Sequence, residues 1–484
     1  MEGLATAAGH EDRQEPLKNY CKGLLLPGER KSIEPMAARL DPKHIQPTRQ
    51  SLHHLVAKAP WSDTVLLGQV CDYVLPAMRK LGPVVAWIVD DTGFPKKGKH
   101  SVGVTRQYCG QVGKQENCRG AVSLSVANWS SSLPVAYRLY LPQEWTEDKQ
   151  RRKKAEIPGE VAFQTKSEIA LDQIRAAVAA DLERGVVLAD AAYGMNTDFR
   201  DELTKLELPY VVGVQSSMTV WPPGTQPLPA KPRGKTGRPP RLLQRSTDHQ
   251  PVSVKQLAMS LPTNSFREIT WREGTNRELQ SRFAAVRVRP AHRDNERSEP
   301  RAEEWLLVEW PRAEKEPTKY WISTLPPATS LKALVKTAKH RWIIERDYQE
   351  LKQELGLGHF EGRNWRGFHH HATLCIAAYG FLVAERNRFS PLCPSRSSWI
   401  RCPQTRAKLP ATRVAAYGPN DITRIPSPAS AFIWRACCCG NCLTAHFADR
   451  LRVEHRYRNL LHRCRFVFGH AARCATHQCA TVHG

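Results

Sequence analysis

The sequence predicts an α/β fold, and three observations predict it. An apolar run at 84–90 is followed by two further extended segments, 121–128 and 134–141, with short connections between them, the pattern of an antiparallel meander. A second apolar run, VVLAD at 186–190, is followed by the turn AAYG, a helix across 198–206 and the strand YVVGV at 210–214. Strand, helix and strand after a three-strand meander is an α/β sheet order, and both apolar runs end on an aspartate, Asp90 and Asp190.

The elements follow in chain order. Residues 1–80 predict a helical module: 20–25, 33–40 and 51–57 carry apolar residues at helical spacing, punctuated by Pro27, Pro42, Pro47 and Pro60. The stretch 66–81 continues in that style, with Pro76 as an expected kink or break. Such a module suits either a reader of DNA ends or a support packed on the core. The segment 93–120 is rich in Gly, Lys and Arg and is expected to be partly extended over 101–108; 143–160 reads as a solvated charged loop. A helix is expected over 166–182, ended by Gly185. The first part of the core thus spans 81–214.

Residues 215–326 are expected to interrupt the sheet as a β-rich insertion, with strands at 267–271, 282–288, 305–310 and 319–324. Within it, 221–241 is rich in Pro, Gly and Arg, and RGKTGRPPR at 233–241 offers two readings, a minor-groove hook and a basic linker. Trp271, Trp305, Trp310 and Trp321 are expected to be core residues of this part, with stacking on a flipped base as the functional alternative. The last part of the core, 327–388, opens with Ser330 capping one helix, LKALVKTAKHRWIIERDYQELKQEL, that Gly356 ends, and closes with a core helix at 369–388.

Composition bounds the partners. The 484 residues hold 71 Lys and Arg against 47 Asp and Glu, a formal charge of +24 that points away from a neutral metabolic enzyme and toward a polyanion bound with steep salt dependence. No stretch of 18 apolar residues predicts a membrane span, and the N-terminus does not read as a signal peptide, so a reducing cytosolic setting without disulfides is expected. Nine of the 14 cysteines fall after residue 392, and 386–484 hold 16 Lys and Arg against three acids, 16 − 3 = +13. The region 389–484 is therefore expected to be an irregular basic, Cys-rich tail, the product of a displaced or degenerate reading frame. Only Cys439 and Cys442 have a familiar zinc-ligand spacing.

The chemistry is expected at three carboxylates. Asp90 and Asp190 end strands, and Glu345 lies on a helix whose Arg341, Glu345, Tyr348 and Lys352, spaced 4, 3 and 4 apart, share one face. Alone, that face reads as a surface ion-pair ladder, and a strand-end aspartate as a helix cap. Together in an α/β frame they are hard oxygen donors suited to Mg²⁺ or Mn²⁺, and two such ions about 3.5–4 Å apart serve both sides of a phosphodiester displacement.

VDDTGFPKKGKHSVGVTRQYCGQVGK, VVLADAAYG and RWIIERDYQELKQELGLGHFEGRNWRGFHHHATL resemble the DDE transposases of bacterial insertion sequences, over roughly 15–388. The glutamate signature of that family, Tyr, two residues, Arg, three residues, Glu, six residues, Lys, is matched by Arg341, Glu345 and Lys352, while Ala338 occupies the Tyr position. The resemblance implies an RNase H-like core with the insertion of one cut-and-paste branch, and a metal-dependent enzyme that cleaves and rejoins transposon DNA. It implies Asp90, Asp190 and Glu345 as catalytic metal ligands for two Mg²⁺ (or Mn²⁺) ions; Asp91 is the runner-up to Asp90, since neighbouring strand residues face opposite sides. Water activated by the ions would free a 3′-hydroxyl that later attacks target DNA. Arg341, Lys352, Lys96, Lys97, Lys99 and Arg106 are the expected DNA contacts, and a homodimer on DNA the expected assembly. The rivals are a nuclease of the same fold that does not join strands, and an inactive DNA-binding remnant.

Overall fold

The computed structural model describes residues 2–231, 241–273 and 278–389. Five helices come first: α1 (Glu2–Ala7), α2 (Gln14–Leu25), α3 (Ile33–Leu40), α4 (Ile45–Ala57) and α5 (Asp63–Arg79). Proline is the third residue of α2, α3 and α4, where its missing N–H costs no intrahelical bond, so Pro47 lies inside a helix and does not separate two. Helix α5 likewise continues through Pro76, without the expected break.

The core sheet follows: β1 (Ala86–Pro95), β2 (Thr105–Cys109), β3 (Lys114–Ala127) and β4 (Ser132–Leu139). Where a charged loop is expected, two short helices form, α6 (Gln143–Glu147) and α7 (Lys149–Lys154). Trp145 is buried, with Nε1 donating to the Val104 carbonyl at 2.9 Å, and Asp148 caps α7 by accepting from the Gln150 and Arg151 amides. Helix α8 (Lys166–Ala179) starts at a Thr165–Glu168 capping box and stops before Gly185; the chain turns at Asp181, with φ of 51°. Gly185 instead lets the chain pass close to β1: a Cβ there would lie 2.7 Å from the Ala86 amide nitrogen.

Strand β5 (Val186–Ala189), helices α9 (Ala191–Gly194) and α10 (Thr197–Lys205), and strand β6 (Tyr210–Val214) complete the first part. The order β4-β3-β1-β5-β6 is antiparallel among β4, β3 and β1 and parallel from β1 through β5 to β6. That is an RNase H-like sheet, as expected.

The expected interruption by 215–326 needs correction, because its strands extend the same sheet. They are β7 (Thr219–Trp221), β8 (Val252–Ser253), β9 (Arg267–Glu273), β10 (Glu278–Pro290), β11 (Glu304–Glu309) and β12 (Lys319–Ser323), with α11 (Val254–Ser260) after β8. Strand β12 returns antiparallel beside β6, Ile322 opposite Val212, and β11 and β10 continue outward. Trp271, Trp305, Trp310 and Trp321 pack partly buried against the core, as expected. Of 233–241, the basic Pro-Gly segment, only Arg241 is among the described residues, and 390–484, with the Cys-rich tail, lies outside them.

The single helix expected after Ser330 is two, α12 (Leu331–Lys339) and α13 (Trp342–Gln353). At the junction the His340 and Ile343 amides donate three residues back, to Thr337 and His340, and the His340 ring reaches the Asn128 carbonyl at 2.9 Å. A distant strand end thus breaks a helix whose apolar period runs on. Helix α14 (Trp365–Phe389) crosses the core and carries the first helices on it: the Tyr20 hydroxyl meets His371 Nδ1 at 2.8 Å, and His370 stacks on Trp61 with ring centres 3.6 Å apart.

Candidate active site

The site forms where the parallel pair β1–β5 ends. The last paired residues are Ile88 and Leu188, and Asp90 and Asp190 each stand two residues beyond, in register. Neighbouring strands lie about 4.8 Å apart, so register alone brings the two carboxylates together at the carboxyl end of the strands. An oxygen of each of Asp90, Asp91 and Asp190 lies within 4.8 Å of the others, and all three residues are half-buried. The expectation that only one of the neighbours faces the site is thereby corrected. Asp90 and Asp91 do bond to different elements, Asp90 to Arg341 and Asp91 to Lys166 on α8, yet each presents an oxygen to the cluster.

Asp190 is fixed by its own helix. Its carboxylate caps α9, accepting from the Ala192 amide at 2.9 Å and the Tyr193 amide at 3.4 Å. Two glycines hold α9 against β6: a Cβ on Gly194 would fall on the Gly213 carbonyl oxygen, and one on Gly213 would sit 3.0 Å from the Ala191 nitrogen. The cap reading and the site reading of this aspartate therefore coexist.

Helix α13 lays one face along β1, as the 4, 3, 4 spacing predicts. The Arg341 guanidinium donates to Asp90 at 2.7 Å; the Tyr348 hydroxyl bonds to Ser123, which also donates to the Asp90 carbonyl at 3.4 Å; and Lys352 Nζ donates to the Gly93 carbonyl at 3.3 Å. Glu345 stands on this face between Arg341 and Tyr348, exposed, outside the three-aspartate cluster, and close enough for its charge to act on Arg341.

Burial is the largest influence on Asp90 and pushes its pKa up to about 6, against the Arg341 charge and with the help of Asp91 and Asp190. Burial also works against the Arg341 cation, but Asp90, Asp190 and Glu345 outweigh it and raise its pKa. Burial likewise lowers Lys352. Three hard carboxylate donors so close together, one of them destabilised in its charged form, are a donor set that fits a divalent ion.

The other expected DNA contacts are placed apart from the acids. Lys96 donates to the Gly358 and Phe360 carbonyls at 3.3 and 3.0 Å, and burial lowers its pKa to about 8, so its charge is held internally. Lys97, Lys99 and Arg106 are exposed. Sequence reasoning missed Lys166, 2.5 Å from Asp91, and Tyr193, a buried tyrosine whose pKa burial and the three aspartates raise well above its usual value. Neither carries a local signal: Lys166 is merely the first residue after a helix cap, and its partner lies 75 positions away.

Comparison with known proteins agrees with this geometry. The family model of the DDE superfamily endonucleases matches residues 3–278, more than half of the chain. The match ends before α13, so the assignment of Glu345 rests on this chain's own motif and helix. A probable transposase for insertion sequence element IS701 from Microchaete diplosiphon is 29% identical over 170 residues, 35% of this chain and 41% of that protein. The chain thus spans about two fifths of the length of that curated relative.

Proposed function

The chain belongs to the DDE superfamily of endonucleases, and from that premise we propose that it is the transposase of an insertion sequence, cutting DNA at the element's ends and joining them to a target. The observation that supports this best is the in-register pair Asp90 and Asp190 at the end of β1 and β5, with Asp91 beside them. Divalent metal use is implied by the family. We assign Asp90, Asp190 and Glu345 as the residues that hold two Mg²⁺ or Mn²⁺ ions, Glu345 reaching the cluster from the exposed face of α13. Bound there, the ions would supply Lewis-acid activation of the attacking oxygen and charge stabilisation of the leaving one.

The protein's own groups do the rest. Asp190 is oriented by the α9 amides, and Asp90 by Arg341. Arg341 and Lys352 flank Glu345 along α13, and we assign them as contacts to phosphates beside the scissile bond, Arg341 through the guanidinium edge that Asp90 leaves free. Tyr193, buried and within reach of the charges of the three aspartates, stays a neutral phenol at physiological pH. The partner is double-stranded DNA, gripped by a homodimer so that two ends are processed together, in the cytosol where bacterial DNA resides. No described helix is long and apolar enough to cross a membrane.

Strand transfer with pre-cut ends tests this reading. Pre-cut duplexes carrying the inverted repeats that flank the reading frame are mixed with the chain, Mg²⁺ and a target plasmid. Covalent joining is expected; cleavage without any joining would make the chain a nuclease of the same fold.

A further inference from the structure

A second feature lies where the sequence predicts only a solvated loop. Helix α7, KQRRKK, is stapled to two other segments. The Arg151 guanidinium donates to the Lys99 carbonyl at 3.3 Å and stacks 3.7 Å over the Trp145 ring. The Ala155 carbonyl just after α7 accepts from the Trp365 amide at 2.8 Å, and the Arg363 carbonyl accepts from the Val102 amide at 3.1 Å. The loop after β1, α7 and the loop before α14 are thus one surface.

The charges on this surface are one-sided. Lys97, Lys99, Lys149, Lys153, Lys154 and Arg363 are all exposed, and none has an ion-pair partner among the described residues. Most acids nearby have other partners: Glu144 faces Arg151, Glu147 accepts from Gln143, Asp148 caps α7, Glu156 holds Lys58 and Asn364, and Glu361 holds Arg30; Glu160, exposed after α7 and without an ion-pair partner among the described residues, sets one negative charge against six positive ones. Six uncompensated cations on three mutually braced segments repel one another and are stabilised by a polyanion. Their place selects which. Strand β1 runs directly from the acids to this surface, and six residues separate Asp91 from Lys97, a reach of at most roughly 22 Å or about six base pairs of duplex.

We propose that the ridge formed by the 97–99 loop, α7 and Arg363 is a second DNA-backbone tract, holding duplex phosphates roughly half a helical turn from the site of cleavage. It rests on the reading of this chain as a DNA-cutting enzyme and adds a surface distinct from Arg341 and Lys352. Its contacts are to phosphates, so it contributes affinity and placement without base specificity.

The test is the salt dependence of binding to a labelled duplex, followed by fluorescence anisotropy, for the full chain and for the triple variant Lys149→Gln, Lys153→Gln, Lys154→Gln. Each lost phosphate contact lowers the log–log slope by about 0.9, so a drop of roughly two to three is expected, with affinity at least about tenfold weaker at moderate salt. The matching triple Lys→Arg variant is expected to keep the slope. Binding of Mn²⁺ followed by electron paramagnetic resonance is expected to be the same in all three proteins, which separates a lost contact from a lost fold. An unchanged slope in the Gln variant, with DNA still bound steeply by the parent chain, overturns the ridge alone. A parent chain that binds no DNA at low salt overturns both the ridge and the proposed function.

Discussion

Asp90 bears most of the electrostatic cost of the site, and that makes its behaviour measurable. Its pKa in the folded chain is about 6 against 3.8 for the free side chain, burial being the main cause. A raised folded-state value means that Asp90 favours folding below about pH 4 and that this contribution is lost as pH rises through 6, on the order of 3 kcal/mol in all. A divalent ion that neutralises the carboxylates restores it. Mg²⁺ or Mn²⁺ is therefore expected to raise the melting temperature at pH 8 by clearly more than at pH 5, where Asp90 keeps its proton; an equal shift at both pH values would contradict the assignment. Asp90→Asn and Asp190→Asn should each abolish that metal-induced shift, and Glu345→Gln should weaken it. If Asp91→Asn abolishes the shift and Asp90→Asn does not, the roles of the neighbours are exchanged. Asp90, Asp190 and the Arg341–Glu345–Lys352 face were legible in the sequence because strand ends and helical spacing are local properties. Lys166 on Asp91, and the approach of Asp91 itself to the cluster, were not, because both depend on how α8 and β5 dock on β1.

Among the elements, α9 and α13 carry the site. Helix α9 can cap on Asp190 only because Gly194 and Gly213 let it touch β6. Gly213→Ala is expected to cost roughly 1–3 kcal/mol of stability and to reduce Mn²⁺ affinity, by pushing α9 and its cap away from β6; calorimetry on the variant measures both. Beneath α13, Asp347 is wholly buried, accepting from Ser132 and from the Tyr379 hydroxyl at 2.7 Å, and burial pushes its pKa up to about 7. Its stabilising contribution is full below pH 4 and is lost as pH passes 7, so α13 is held least firmly in alkali. Asp347→Asn should flatten the decline in melting temperature between about pH 4 and 7, and an unaltered decline there would show that another group controls it. Most strands and most helices were legible from apolar period, but the two short strands β7 and β8 were not. The split between α12 and α13 was not, since it arises from His340 bonding to Asn128, more than 200 residues away in sequence. The helices α6 and α7 were hidden for a similar reason: their anchor is Trp145 buried under Val104, while their own residues are charged.

At the scale of the molecule, the insertion widens the core sheet instead of standing apart from it, so the acids, α13 and the outer strands β9–β12 form one continuous frame. That continuity was hidden because pairing of β12 with β6 joins segments more than 100 residues apart, whereas the strands themselves announce their positions locally. Every proposed site residue lies at or before Lys352, apart from Arg363 of the ridge, and α14 closes the core at Phe389. A chain truncated after Phe389 is accordingly expected to keep the fold and the Mn²⁺ site, and loss of Mn²⁺ binding on truncation would assign the 390–484 region a part in the site. The most direct measurement of the central claim is cleavage of a duplex bearing the element's own ends, with DNA binding followed in parallel. The expected result is cutting by the unaltered chain with Mg²⁺ and none with a chelator, while Asp90→Asn and Asp190→Asn bind the same duplex without cutting it. Undiminished cleavage by Asp190→Asn, or cleavage that persists with the chelator, would contradict it.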